Sequence, residues 1–200
     1  GVALYQLNGD ATDVSGNYNG TATNVTYGTG QFGQAGVFNG SSSRVVSNLS
    51  ILGNSQRTLS LWYKTTNSDN ILVSLGPNTV PSINNQHFAL APKNSTELNI
   101  YAYNGPGPVV DELMTGFTTN LLSGNWTHLV VTWDGNIGGT LKAYVNGQLE
   151  STLNRSAGKA YATAAGFQIG NWISGNRWLN GSIDQVRIFN RALRPYEVEA

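Results

Sequence analysis

The chain contains no cysteine, which excludes a disulfide framework, a thiolate metal site and a cysteine nucleophile. Its two histidines, His87 and His128, are too few for a histidine-rich metal site. Charge is scarce as well. Only 11% of the 200 residues are charged, against about 25% in an ordinary soluble domain. Eleven basic and eleven acidic side chains cancel, and without a surplus of Lys and Arg neither nucleic acid nor an anionic membrane surface is an expected partner. No apolar run reaches the roughly 18 residues that a bilayer span requires, so membrane insertion is not expected. No basic and then apolar leader opens the chain either, so a mature chain or an excised domain is expected.

What is present is a core and a neutral surface. Hydrophobic residues make up 40% of the chain and aromatics 10%, enough for one packed domain over residues 1–200. Asn, Ser, Thr and Gly take the place of charge. Such a hydrogen-bonding, thiol-free composition suits an extracellular setting: secreted, on a cell surface or on a virion. Eight Asn-x-Ser/Thr sequons begin at Asn19, Asn24, Asn39, Asn48, Asn94, Asn125, Asn154 and Asn180, but a chain this rich in those residues produces several by chance.

Short apolar stretches separated by Gly/Asn/Ser clusters predict an all-β protein. Residues 58–64 are the clearest strand, with Leu59, Leu61 and Tyr63 on one side and Ser60, Trp62 and Lys64 on the other. Residues 125–134 form another, and 141–145 returns through Asn146-Gly147 into 148–153, a hairpin whose turn needs positive φ at both central positions. Further strands are expected at 3–7, 36–38, 44–46, 71–75, 87–91, 98–102, 166–170 and 182–189, and a helical turn with Pro195 at its start within 191–199. Trp62, Trp126 and Trp133, inside strands, are expected to fill the core. This pattern predicts two packed antiparallel sheets, a sandwich or jelly roll, with the first and last strands side by side.

Four stretches carry a family resemblance. They are Asp-Val-Ser-Gly-Asn-Tyr-Asn-Gly at 13–20, Gly-Gln-Ala-Gly-Val-Phe-Asn-Gly at 33–40, Asn-Trp-Thr-His-Leu-Val-Val-Thr-Trp-Asp at 125–134 followed by Tyr-Val-Asn-Gly at 144–147, and Gly-Ser-Ile-Asp-Gln-Val-Arg-Ile-Phe-Asn-Arg-Ala-Leu at 181–193. In this order they resemble the bacterial and viral branch of the laminin-G-like family, which has a concanavalin A-like jelly roll. Gln185 stands where that family often has Glu.

The resemblance implies a lectin-like binding or adhesion module with a structural calcium. Calcium takes six to eight oxygen ligands, and the loop holding Asp13, Asn17 and Asn19, with Asp184 from the last strand, is the expected cage. The plainer expectation is that Asp13 makes an Asx-turn and that Asp184 pairs with Arg187 or Arg191. For carbohydrate, the aromatic and amide mixture of Trp172, Asn176, Arg177 and Trp178 is the expected contact, with Tyr103 from a second loop. Covering the sandwich edge is the simpler role for Trp172 and Trp178. An enzyme is not expected: a glycosidase needs two carboxylates facing one bond, and the close acidic pairs Asp10/Asp13, Asp111/Glu112 and Glu197/Glu199 do not supply them. The partner is then a glycan or cell-surface polysaccharide, or else neighbouring copies in an adhesin, filament or virion, since zero net charge does little to hold copies apart.

Overall fold

Period-two alternation decides which residues face inward. In residues 57–64, Leu59, Leu61 and Tyr63 are buried, while Trp62 and Lys64 stay partly exposed. The computed structural model of the chain describes residues 1–77, 86–102, 112–155, 161, 163–172 and 177–198. Its strands are β1 (Ala3–Tyr5), β2 (Thr21–Thr23), β3 (Thr26–Thr29), β4 (Gln34–Asn39), β5 (Arg44–Ser47), β6 (Arg57–Lys64), β7 (Val73–Leu75) and β8 (Phe88–Asn94). They continue with β9 (Glu97–Tyr101), β10 (Glu112–Thr115), β11 (Thr127–Trp133), β12 (Thr140–Val145), β13 (Gln148–Asn154), β14 (Phe167–Ile169) and β15 (Asn180–Phe189). A 3₁₀ turn, Pro195–Glu197, follows.

Two antiparallel sheets face each other. The eight-stranded sheet runs β13-β12-β11-β6-β15-β4-β3, with β1 also paired to β15; the seven-stranded sheet runs β10-β9-β8-β7-β14-β5-β2. The long β15 serves two partners along one edge. Residues 180–183 pair with β4 and residues 186–188 with β1, and the ladder to β6 shifts register between Asp184 and Arg187. Gln185 sits there at φ 51°, the left-handed conformation that lets a bulge redirect the strand.

The inner faces share one apolar cluster, in which Trp133 and Phe88 each meet Tyr161 edge to face at 5.1 and 4.9 Å. Full burial of a large apolar side chain of this kind contributes about 1.5–3 kcal/mol. One end of this core holds arginine. Arg57 is fully buried with no carboxylate partner among the described residues, and donates to the carbonyls of Ser55 (2.9 Å) and Gly53 (2.6 Å) and to Thr163 Oγ1. Burial lowers its pKa to about 10, which leaves it charged at pH 7.

The predicted hairpin is present, with Asn146 and Gly147 at φ 49° and 82° between the paired Val145 and Gln148. The terminal strands β1 and β15 lie side by side. Three strands were not anticipated. β2 and β3 are largely exposed, each at a sheet edge, so a neighbour's ladder rather than hydrophobic alternation makes them. β10 begins at Glu112, outside every strand expected from the sequence. The tryptophan expectation holds for Trp133 alone. Trp62 and Trp126 are only half-buried, because Leu61 and Tyr63 occupy the inward positions beside Trp62 and the ring of Trp126 lies against Lys64 (5.3 Å).

Candidate functional site

The outer face of the seven-stranded sheet carries the densest polar chemistry. Strand register aligns Thr21, Val46, Gln168, Ser74, Ala89 and Tyr101 in one transverse row across β2, β5, β14, β7, β8 and β9. At about 4.8 Å per strand the row spans about 24 Å. Its middle is closed: Ser74, Gln168 and Ala89 are buried. His87 covers Ser74, with Nδ1 3.3 Å from Ser74 Oγ. Trp172 packs with Ile71, Ala89, Ala91 and Tyr101 in an apolar cluster of their own. The two alanines leave β8 flat enough for an indole to lie on it. The Trp172 ring also meets those of His87 (5.4 Å) and Tyr101 (5.5 Å). Gly76 makes the fit possible, since a Cβ there would stand 2.4 Å from His87 Nδ1. Burial lowers the His87 pKa to about 4, so at pH 7 the ring is neutral.

At the β9 end four polar side chains hold one another. Asp69 Oδ1 accepts from Tyr101 Oη and from Asn99 Nδ2 (3.1 Å), and Asn99 Nδ2 also donates to Tyr101 Oη (2.8 Å). Asp69 Oδ2 is ion-paired with Arg177, whose guanidinium lies 4.6 Å from the Tyr101 ring centre. Asp69 adopts φ 60°, a conformation costing about 1 kcal/mol or more in a residue other than glycine. It is anchored through its N–H to the Pro92 carbonyl (2.7 Å). The Arg177 carbonyl in turn accepts from Ile71 N (3.1 Å). Both charged side chains remain about one-third exposed, so the group is rigid yet open to solvent.

At the other end of the row a cleft of about 760 Å³ opens, lined by Asn17, Asn19, Thr21, Val46, Ser47 and Asn48 among others. Its volume lies within the about 300–1,000 Å³ of small-ligand clefts, and these lining side chains carry no charge.

A two-sheet sandwich of this strand order agrees with the sequence pattern of the concanavalin A-like lectin/glucanases superfamily, which matches residues 38–199. The chain belongs to that superfamily. Among solved structures, this concanavalin A-like domain is similar to domain 4 of AbnA, a GH43 extracellular arabinanase from Geobacillus stearothermophilus, in complex with arabinotriose. The identity is 25% and the TM-score 0.67, over 98% of this chain and 95% of that one. It also shares its fold with the CBM40 of the Ruminococcus gnavus IT-sialidase bound to α2,3-sialyllactose (22%, TM-score 0.56, 72% and 80% covered). A third is the binding domain of Paraclostridial Mosquitocidal Protein 1 (19%, TM-score 0.69), where the match covers 94% of this chain and 48% of that one. No curated protein matches the chain by sequence.

The expected contact residues separate in this superfamily member. Trp172 is buried, 6% exposed, and serves as the cover over Ala89 and Ala91. Arg177 and Trp178 are half-buried. Tyr103 and Asn176 lie outside the described residues. Asp69 and Asn99 were missed by the sequence reading, and Tyr101 was passed over for Tyr103. The one usable signal was scarcity: in a chain with so few acids, an Asp in a Ser-Asp-Asn turn merits attention.

The expected calcium ligands are also divided. Asp13 Oδ1 accepts from Leu4 N (2.9 Å), and Asp13 Oδ2 from Ser15 Oγ and Tyr18 N (3.3 Å). Asn19 Oδ1 accepts from Asp13 N (3.0 Å), while Asn17 lines the neutral cleft. Asp184 instead binds the β3–β4 turn, its Oδ2 accepting from Phe32 N (2.8 Å). Its Oδ1 is buried with no hydrogen-bond partner among the described residues, and burial raises its pKa. Among the described residues no three acidic or histidine side chains are grouped for a metal ion. As placed, protein donors reach both Asp13 oxygens, while Asp184, on β15, is engaged by the Phe32 turn. Arg191, considered as a partner for Asp184, pairs with Glu197 at 2.7 Å.

Proposed function

We propose that this domain is a non-catalytic extracellular module that binds carbohydrate at the β9 end of the seven-stranded sheet. The observation that carries the reading is the mutually bonded group of Asp69, Asn99, Tyr101 and Arg177, with its charged side chains about one-third exposed and its buried Tyr101 ring packed against Trp172. A carboxylate, an amide, a phenol and a guanidinium locked at fixed angles form a preorganised set of donors and acceptors for vicinal hydroxyls. Held in place before binding, they lose little further freedom when a ligand arrives. Trp178, next to Arg177 in the chain, supplies a ring for stacking. Asn176 and Tyr103, from the same two chain segments, belong to the proposed contact set.

The likeness to an arabinanase domain holding arabinotriose and to a sialidase CBM40 holding sialyllactose supports a sugar as ligand. The extracellular character of that arabinanase supports the setting. The described carboxylates support the absence of catalysis, because each has its own donors. Glu112 binds Arg155, Glu150 binds Thr118 and Thr119, and Asp134 binds Asn136 and Thr140.

A glycan array that includes arabino- and sialyl-oligosaccharides tests this. Wild type is expected to bind at least one glycan, and Arg177→Ala and Trp178→Ala to weaken that binding about tenfold or more. Silence across the array, or variants that bind as wild type does, would reject the reading.

A second reading, assembly with neighbouring copies, is favoured by one observation. Leu52 and Ile137 are 58% and 69% exposed on two loops tied together by Asn54 Nδ2 donating to the Gly135 carbonyl (2.9 Å). Light scattering of wild type and Ile137→Lys distinguishes it: only an assembling module gains mass with concentration and loses that gain in the variant.

A further inference from the structure

The outer face of the eight-stranded sheet is finished unevenly. β6 turns Thr58, Ser60, Trp62 and Lys64 toward it. At the Thr58 end the C-terminal segment lies across the sheet. Thr58 Oγ1 donates to the Arg191 carbonyl (2.8 Å) and accepts from Leu193 N (3.0 Å), and Leu193 and Val198 pack on Val130 and Tyr144. The Trp62 end is left more open. The indole of Trp62 is stacked on His128 (5.0 Å, 21°) and meets the edge of Phe32 (5.9 Å, 78°). Phe32 is 51% exposed, and the bond from its N–H to Asp184 fixes its turn against the sheet.

Cations flank these rings. Lys64 lies two positions along β6 from Trp62, with Nζ 5.3 Å from the Trp126 ring. On the other side β15 presents exposed Arg187, the register partner of Ser60, diagonal to Trp62. Among the described residues no salt bridge involves Lys64 or Arg187, and the carboxylate that faces Trp62 in register, Asp184, is completely buried beneath the turn. The opposite outer face differs on this point, since its Arg177 is neutralised by Asp69. A half-buried and an exposed ring, fixed edge to face beside two cations that form no salt bridge among the described residues, suit a ligand with both a flat apolar face and negative charge.

We propose that this face is a second carbohydrate-binding site, which takes an acidic saccharide: Trp62 and Phe32 stack on a sugar ring while Lys64 and Arg187 pair its carboxylate or sulfate groups. The site works independently of the Arg177 site. Affinity electrophoresis through gels containing polygalacturonate, dextran sulfate or neutral dextran tests it, the two acids separating carboxylate from sulfate. Retardation is expected in at least one acidic gel and not in dextran, and about 0.5 M salt should weaken it by screening. Trp62→Ala and Lys64→Gln should each lower apparent affinity about tenfold. Trp62→Phe should retain most of it. Lys93→Gln, a charge control elsewhere, should leave it unchanged. No retardation in either acidic gel overturns the proposal. So does equal retardation in dextran, or retardation that survives both Trp62→Ala and Lys64→Gln. A dimer in light scattering that Trp62→Ala makes monomeric, without retardation, also overturns it, in favour of a second copy of the chain as occupant.

Discussion

The two outer faces of the sandwich use tryptophan in opposite ways. On the seven-stranded sheet Trp172 lies over Ala89 and Ala91 and is 6% exposed, so its ring serves as packing and the polar group around Asp69 rests on it. On the eight-stranded sheet Trp62 rests on His128 and stays half-buried beside an exposed Phe32. The difference lies in the neighbours. Alanines on β8 admit a whole indole, whereas Ser60 and Lys64 flank Trp62 on β6 and the C-terminal segment covers only the far end. A tryptophan in a binding domain is therefore not evidence of contact until the side chains beneath and beside it are known.

The largest expected effect tests that contrast directly. Trp172→Ala should cost about 3–5 kcal/mol in chemical denaturation, the range for an aromatic removed from a packed site. Trp62→Ala should cost about 1 kcal/mol, as for a partly exposed ring; equal losses would erase the distinction between the faces. Acid should act on both faces next. Burial holds His87 and His128 at about 4, below the ordinary 6.5. The unfolded chain thus binds these protons first, and the stability from keeping both rings neutral, complete above about pH 6.5, is lost as pH falls toward 4. Melting temperature measured from pH 7 to 4 should fall, and His87→Gln and His128→Gln should each flatten the decline. Asp184, whose carboxyl burial raises, opposes that trend at the acid end. Arg177→Ala should then lower stability by less than about 1 kcal/mol, because its ion pair is about one-third exposed, even as it weakens glycan binding. The smallest effect concerns calcium. Adding it to chelated protein should move the melting temperature by less than about 1 °C. A rise of several degrees that Asp184→Asn abolishes would instead assign a cation to the Asp184 oxygen that has no partner among the described residues.

Much of the fold was legible because alternation and turn chemistry are local. Leu59, Leu61 and Tyr63 announced an inward face, and Asn146-Gly147 announced a turn whose two positive φ values the structure contains. The site was harder to read. Asp69 and Arg177 are 108 residues apart in the chain and meet only because β8 and β9 bring Asn99 and Tyr101 beside the 69–71 turn. Asp13 and Asp184 looked like a pair by analogy, but the Phe32 turn claims one and the backbone of Leu4 and Tyr18 claims the other.

By itself the sequence determined that this chain builds layered antiparallel sheets with a neutral, thiol-free surface, since composition and period-two patterning act through nearest neighbours and solvent. Only the tertiary structure decided which ring is buried, which cation is paired and which carboxylate is engaged. Those outcomes depend on what distant strands place above and beside each side chain, and register across a sheet is set by the partner strand rather than by the residues next along the chain.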